Sequence, residues 1–413
     1  MQRVLLLLAT VFALYACSGT VPYRAGEEQT PAPIVELGHP LSSGSTGAAP
    51  SPAAVAPVQA APLPIAPEAP VGPPIIVEPN AVAHIALLLP LQSPIFAGAA
   101  NAVQQGFMSA SRIDRTPIPV RVYSNFDENE SVVATYRQAV SEGAVAVVGP
   151  LTRTGVAALA GYTSIQVPTI SLNVVDAAPA RNLYFFGMSI ETEARQIAQL
   201  AQRQGLRQAI IVTSREPLSK RLQAAFEDQW SSGGGTILRE VEFNDDTSIF
   251  ADITDIPGTM VFIAADAIKA RLIRPYLSNN LPIYATSRVF VGNANTLLNY
   301  DLNDIHFVDM PWLLQPDNPA VMIYPRATPP LSIDNERLYA LGVDAYRLIR
   351  RVLVNRVSGS SQLDGVSGHI SLIGQTFQRT EKAAVFVQGQ AQLEDSSHTQ
   401  TIQMFPEQPV NNP

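Results

Sequence analysis

The chain has 413 residues, of which 46% are apolar and 15% charged, with a net charge of −8. Such a length and apolar content allow two or three compact units with a sizeable core. The lack of any Lys/Arg-rich block leaves no electrostatic footprint for nucleic acid. The one cysteine, Cys17, excludes an intrachain disulfide, so core packing must hold the fold.

The N-terminus has the pattern of a targeting segment. Arg3 supplies a positive start and Val4 to Leu14 an apolar stretch, too short to span a bilayer comfortably. Leu14-Tyr15-Ala16-Cys17 then resembles a bacterial lipobox, with Cys17 as the lipidated residue after a signal peptide over residues 1–16; Tyr15 departs from the small residue usual there. Several acyl chains on one cysteine anchor stably, because each buried CH₂ contributes about 0.8 kcal/mol. Ser18 stands where an Asp would mark inner-membrane retention, so the outer membrane is expected. Residues 18–80 hold fourteen prolines, many alanines, one aromatic residue and no lysine. Residues 17–80 therefore read as a disordered, semi-extended tether whose reach in polyproline II is at most ~200 Å.

From residue 81 the pattern becomes globular. The stretch HIALLLPLQSPIFAGAANAVQQGFMSA, His84 to Ala110, opens with a short continuous apolar run ended by Pro90. That is a strand buried on both faces, as in a parallel sheet. Ser93-Pro94 has the residue types of a helix start, and Phe96, Ala99, Ala100, Val103, Phe107 and Ala110 follow at helical spacing. The alternation continues with strands at Pro119–Tyr123, Ala144–Val148, Val167–Leu172 and Leu183–Gly187. Between them lie a helical stripe from Val132 to Val140 and a helix Arg153–Ala160 that Thr152 caps.

A second series starts at Ser189, which caps a helix with Ala194, Ile197, Ala198 and Ala201 on one face and Gly205 at its end. Glu191 and Glu193 lie in its first turn, where the helix dipole favours them. Strands follow at Ala209–Thr213, Thr236–Phe243, Met260–Ala264 and Pro282–Ala285, with helices at Arg221–Trp230 and Ala267–Leu277. Residues 315–333 carry five prolines and read as a loop, Glu336–Val354 as the clearest helix, and Gly368–Ile373 with Ala383–Gln388 as an antiparallel pair.

The fold class is therefore α/β. Two successive series joined by crossings are similar to the two-lobed type I periplasmic-binding-protein architecture, each lobe a mainly parallel sheet flanked by helices. That analogy puts the domain at 81–395, lobe 1 at about 81–187 and 330–357, and lobe 2 at about 188–305 and 365–393. Residues 396–413 read as a flexible tail.

No catalytic motif is present. HExxH, GxSxG, the P-loop, GxGxxG and SxxK are all missing. The five histidines lack ligand spacing, so neither a metal nor a cofactor is expected, and the acidic pairs Asp127-Glu128 and Asp245-Asp246 read as solvated loops. Ligands of open α/β sheets bind at the carboxyl ends of the strands. Ser93, Thr152, Ser171 and Asn173 fall there and are the candidate cleft residues. Equally, they can cap helices and turn the chain. Asn293–Asp304 and Trp312–Leu331 are candidate partner surfaces because long ordered loops are often functional. Trp312 is the candidate anchor, with a core position as the alternative.

Several stretches together resemble one family. They are HIALLLPL with its helix, Val148-Gly149-Pro150-Leu151, and Leu183-Tyr-Phe-Phe-Gly-Met-Ser189 through Glu193-Ala194-Arg195-Gln196. Leu281-Pro-Ile-Tyr-Ala-Thr-Ser287, Asp309-Met310-Pro311-Trp312, and Leu338 through Leu348 with Gly365-Val-Ser-Gly368 complete the set. In this order they resemble the LppC family, the LpoA-type outer-membrane lipoproteins that activate a class A penicillin-binding protein. The resemblance covers about residues 83–393. It implies a non-enzymatic module that contacts a bifunctional peptidoglycan synthase and stimulates transpeptidation by favouring its more active conformation. The chain departs from the family where a proline-rich tether replaces an N-terminal helical repeat domain, and at Pro217–Arg221, PLSKR. The alternative function is a solute receptor closing on an amino-acid-like ligand between the lobes.

Overall fold

The computed structural model describes residues 74–394, apart from residues 126, 127, 163, 179, 295 and 355–361. Cys17, the signal segment, most of the tether, Asp127 and the tail lie outside the described residues.

The first series gives β1 (His84–Leu89), α1 (Ala97–Ile113), β2 (Val120–Ser124), α2 (Glu128–Ser141), β3 (Ala144–Val148), α3 (Arg153–Ala160), β4 (Thr169–Ser171) and β5 (Leu183–Phe186). Every residue of β1 is buried, because helices cover both faces of its sheet. Ile85, Leu87 and Leu89 pack on one side, with Phe107 and Leu341, and Ala86 and Leu88 on the other, with Tyr136 and Val156. A strand with both faces covered takes a polar residue only where a partner answers it, as Tyr123 does for His84 at the strand's start, hence the unbroken apolar run from Ile85 to Leu89. Parallel pairing of β1 with both β2 and β3 follows.

The second series gives α4 (Ile190–Arg203), β6 (Gln208–Thr213), α5 (Pro217–Ser232), β7 (Thr236–Glu242), β8 (Thr259–Ile263), α6 (Ala267–Ile273), β9 (Ile283–Ala285), α7 (Thr296–Asn299) and β10 (Ile305–Asp309). Ser189 caps α4 as expected, its hydroxyl accepting from the Thr192 N–H. Two short helices follow, α8 (Pro311–Leu314) and α9 (Pro319–Met322), then the long α10 (Ile333–Leu353). The chain ends in β11 (Gln362–Asp364), β12 (His369–Ile373), β13 (Thr376–Thr380), β14 (Lys382–Val387) and β15 (Gln390–Leu393).

These strands form two sheets. The order in the first is β11-β12-β13-β5-β4-β3-β1-β2, and in the second β15-β14-β10-β9-β8-β6-β7. The chain crosses between them after β5, after β10 and between β13 and β14.

Four expectations are corrected. The terminal strands do not all belong to lobe 2: β11 to β13 extend the first sheet, and only β14 and β15 join the second. Gly368–Ile373 and Ala383–Gln388 are therefore not partners. β12 pairs antiparallel with β11 and β13, and β14 with β10 and β15. β10, β11, β13 and β15 lie outside the expected strands; β13, for one, reads TFQRT and carries only one large apolar residue, too little to signal a strand. Third, α1 starts at Ala97 rather than at Ser93-Pro94. Ser93 closes a preceding turn, its hydroxyl accepting from Phe96 N–H at 3.3 Å and its carbonyl from Ala97 N–H at 3.0 Å. Fourth, the globular part begins before residue 81. Ile75 packs on the first lobe's core, and Glu78 N–H donates to Ser141 O at 2.8 Å.

α1 and α10 meet at two glycines. A Cβ on Gly106 would lie 1.9 Å from Tyr339 O, and one on Gly342 would lie 2.2 Å from Val103 O. Nothing larger fits, because each contact is to backbone. Phe107 meets Tyr346 edge-on at 5.2 Å, and the Tyr346 hydroxyl and Arg350 both donate to Asp114. Gly342→Ala is expected to cost about 1–3 kcal/mol through overpacking, read as a lower urea midpoint of the purified chain. An unchanged midpoint would mean that the two helices do not pack this closely.

Candidate functional site

At the carboxyl ends of the first-lobe strands lies a groove of about 400 Å³. Phe96 and Ala99 at the start of α1, Leu151 and Thr152 after β3, Asn173 after β4 and Leu338 of α10 border it, and Arg153 is its charged residue. Two of the four candidate residues thus reach it. The Thr152 hydroxyl accepts from Gly155 N–H at 3.1 Å, so it caps α3 as expected and borders the groove as well. Asn173 donates to Leu151 O at 3.2 Å and accepts from Val174 N–H at 3.0 Å, which fixes its amide at the rim. The structure does not bring the other two there. Ser171 is fully buried, and its hydroxyl donates to Asn173 O and Tyr184 O at 3.0 and 3.2 Å. Ser93 is buried in its turn.

Arg153 links the lobes. Its guanidinium lies 3.6 Å from Glu191 Oε1 in the first turn of α4. Glu191 also accepts from Ser189 Oγ at 2.8 Å and from Arg221 of α5. Burial works to raise the Glu191 pKa, but its own backbone N–H, Ser189 and Arg221 outweigh it and hold the carboxyl below the usual range. The result is an ion-pair bridge beside the groove, with Arg153 from the first lobe and Glu191 and Arg221 from the second.

Trp312 is corrected as a partner anchor. Its side chain is fully buried, so no surface reaches it. The ring stacks on Tyr339 with centroids 5.1 Å apart, its Nε1–H donates to Glu336 Oε2 at 2.5 Å, and the Arg326 guanidinium covers it at 3.7 Å. Pro311 opens α8, the short helix that carries the ring.

The largest feature missed from sequence is a buried charge cluster where the lobes join. Arg337 of α10 donates to both oxygens of Asp309, at 3.1 and 2.6 Å, and to the carbonyls of Ser287 and Phe290, each at 3.0 Å. Gln196 holds the backbone of Glu381 from both sides, donating at 2.8 Å and accepting at 3.0 Å. Asp344, fully buried, accepts from the Val366 and Ser367 N–H groups and the Ser367 hydroxyl. Glu193, Gln196, Asp309, Asp344 and Gly365–Gly368 all lie in the stretches that carried the family resemblance. Only long-range contacts reveal this arrangement.

Among the described residues no group of three His, Cys, Asp or Glu side chains is placed to hold a metal ion. His84 bonds to Tyr123, His306 to Glu394 and His369 to Asp364. Asp246 caps a short turn by accepting from Ser248 N–H at 2.9 Å.

The two sheets, the crossings between them and the groove on the strand ends define a two-lobed periplasmic-binding-protein-like module. The chain belongs to the LppC family, whose model, described as "LppC putative lipoprotein", matches residues 75–259 and 251–388. The penicillin-binding protein activator LpoA of Photobacterium profundum is 26% identical over 345 residues, covering 73% of this chain and 56% of its own length. The chain spans about half the length of the curated relatives it matches. Among solved structures, the LpoA C-domain from Haemophilus influenzae, described as a regulator of PBP1A, is 26% identical with a TM-score of 0.65. That match covers 76% of this chain and all (100%) of that one. A chain from Chromobacterium violaceum described as "a putative branched-chain amino acid ABC transporter" is 34% identical with a TM-score of 0.65, covering 74% of this chain and 100% of that one.

Proposed function

We propose that this chain is a lipid-anchored module facing the periplasm that binds a class A penicillin-binding protein and stimulates its transpeptidation, with no reaction of its own. Cys17 would carry the anchor, in the outer membrane. The observation that carries this reading is the full-length match to the LpoA C-domain: the part shared with the activators is one whole domain. The apolar surface of lobe 2 supports it. Leu297 is 81% exposed and Ile268 69%, and Leu272, Leu298 and Tyr300 are exposed beside them. Arg271 fastens α6 to α7 by donating to Leu298 O at 2.8 Å and Asn299 Oδ1 at 3.2 Å, which brings the two helices carrying these residues together. Leu297, Leu298 and Tyr300 fall within Asn293–Asp304, and grouped exposed apolar residues of this kind mark interaction sites.

Leu297→Asp combined with Leu298→Asp is expected to weaken binding to the purified synthase roughly 30-fold, about 2 kcal/mol, as for interface hot spots. Surface changes of this kind alter stability by about 0.5 kcal/mol or less, so the melting temperature should hold. Unchanged affinity in a titration calorimeter would move the contact elsewhere.

The second reading, a solute receptor, draws on the groove lined by Thr152, Arg153 and Asn173 and on the 34% identical structure. A thermal-shift screen against amino acids and muropeptide fragments separates the two. A strong hit lost in Thr152→Ala would favour the receptor.

A further inference from the structure

Three carboxyl groups and two guanidiniums meet where the chain crosses between the lobes, and all five residues are buried. Glu193 comes from α4, Asp309 from the end of β10, Glu381 from the β13–β14 connection, Arg337 from α10 and Arg379 from β13. Arg337 and Asp309 neutralise each other through the two-pronged contact described above. Glu193 and Glu381 are left to share Arg379, with Arg337 close by but already held by Asp309. Arg379 donates to Gly187 O at 3.1 Å and to Ser367 O and Glu381 Oε1, both at 2.8 Å. Glu193 Oε2 accepts from Ser287 N–H at 3.0 Å. Glu381 Oε2 is buried, and no donor reaches it. Two carboxylates against one guanidinium leave one negative charge in excess, and an uncompensated buried charge is strongly unfavourable.

Glu193 and Glu381 both line a cavity of about 260 Å³, with Ser189, Thr192, Phe377, Gln378 and the cationic Arg379. Its walls come from both sides of the crossing: Gly187 and β13 belong to the first lobe, and Ser189 to Glu193 lead into the second.

We propose that this hinge cavity binds a small primary-ammonium ligand, whose charged nitrogen lies between Glu193 and Glu381 and donates to their free oxygens. An ammonium group brings one positive charge and donors only, which is what the two carboxylates lack. A metal ion fits less well, since the third carboxyl, Asp309, is taken up by Arg337, and among the described residues no three acidic, histidine or cysteine side chains are placed to hold one. The competitor is a proton. Burial, then the charges of Glu381 and Asp309, push Glu193 up to about 8 against the Ser287 hydrogen bond and Arg379. Arg337 faces it from α10, and burial raises Glu381 too. At neutral pH the excess charge is thus answered by a proton on Glu193, which the ammonium must displace. Binding therefore strengthens as pH rises toward about 8 and levels off above it. A ligand held by both lobes would favour one hinge angle.

The test is a melting-temperature titration of the full chain with methylammonium, tetramethylammonium or sodium chloride at equal ionic strength. A saturable rise is expected with methylammonium alone, with apparent affinity falling about tenfold per pH unit below about 8. Glu381→Gln and Glu193→Gln should each weaken it at least about tenfold, the loss of one charge-assisted contact. Equal responses to the three salts, a sodium-specific response, or a methylammonium response that ignores pH would each overturn the proposal. The salt and pH comparison on the unmodified chain stands even if a variant does not fold. No synthase is present, so failure here leaves the activator reading as it was.

Discussion

Arg337→Met should cost about 3–5 kcal/mol of folding stability. Asp309 is fully buried, and among the described residues Arg337 is its only cationic partner within salt-bridge distance. Methionine keeps much of the volume but removes both prongs of the pair and the donors to the Ser287 and Phe290 carbonyls. The cost is that of a carboxylate left in the interior with no counter-charge. It follows that Asp309→Leu in the same chain should restore part of the loss, because replacing both members of a buried pair is far milder than replacing one. Urea unfolding of the single and double variants gives both numbers. A single variant that loses less than about 1 kcal/mol, a value typical of exposed pairs, would show that the cluster is open to water.

Trp312→Ala should cost a similar amount, about 3–5 kcal/mol, by emptying a site enclosed by Tyr339, Glu336 and Arg326. Trp312→Phe is the more discriminating change. It keeps the stacking but leaves Glu336 Oε2 with only the Arg326 contact at 3.4 Å, so stability should fall moderately, by about 1–3 kcal/mol. Affinity for the synthase should not move, because the ring never reaches the surface. Weakened binding with unchanged stability would return Trp312 to the role of anchor.

Much of the fold was legible because its central strands are covered on both sides. β3 and α3 start and end where their residue patterns place them, and the α4 cap was readable from Ser189. Legibility fell at the lobe borders. β13 is held in the first sheet by parallel pairing of Thr376 and Phe377 with Phe185 and Phe186, and its polar sequence gives no sign of it. The candidate site shows the same division. Thr152 and Asn173 were placed correctly at strand ends, since that rule depends only on strand direction. Ser171 obeyed the same rule, yet its hydroxyl turned inward to two carbonyls. Glu193 was readable only as a helix-dipole residue; its partners lie 94 to nearly 190 positions away, beyond any local pattern.

The central claim is that this module acts on a synthase through contact. It is tested most directly by measuring peptide cross-linking by a purified class A penicillin-binding protein with and without the purified chain. A rise in cross-linking that saturates with added chain, and that Leu297→Asp with Leu298→Asp reduces, is the expected result. Unchanged cross-linking at a chain concentration that saturates binding, or no binding at micromolar concentration, would contradict it.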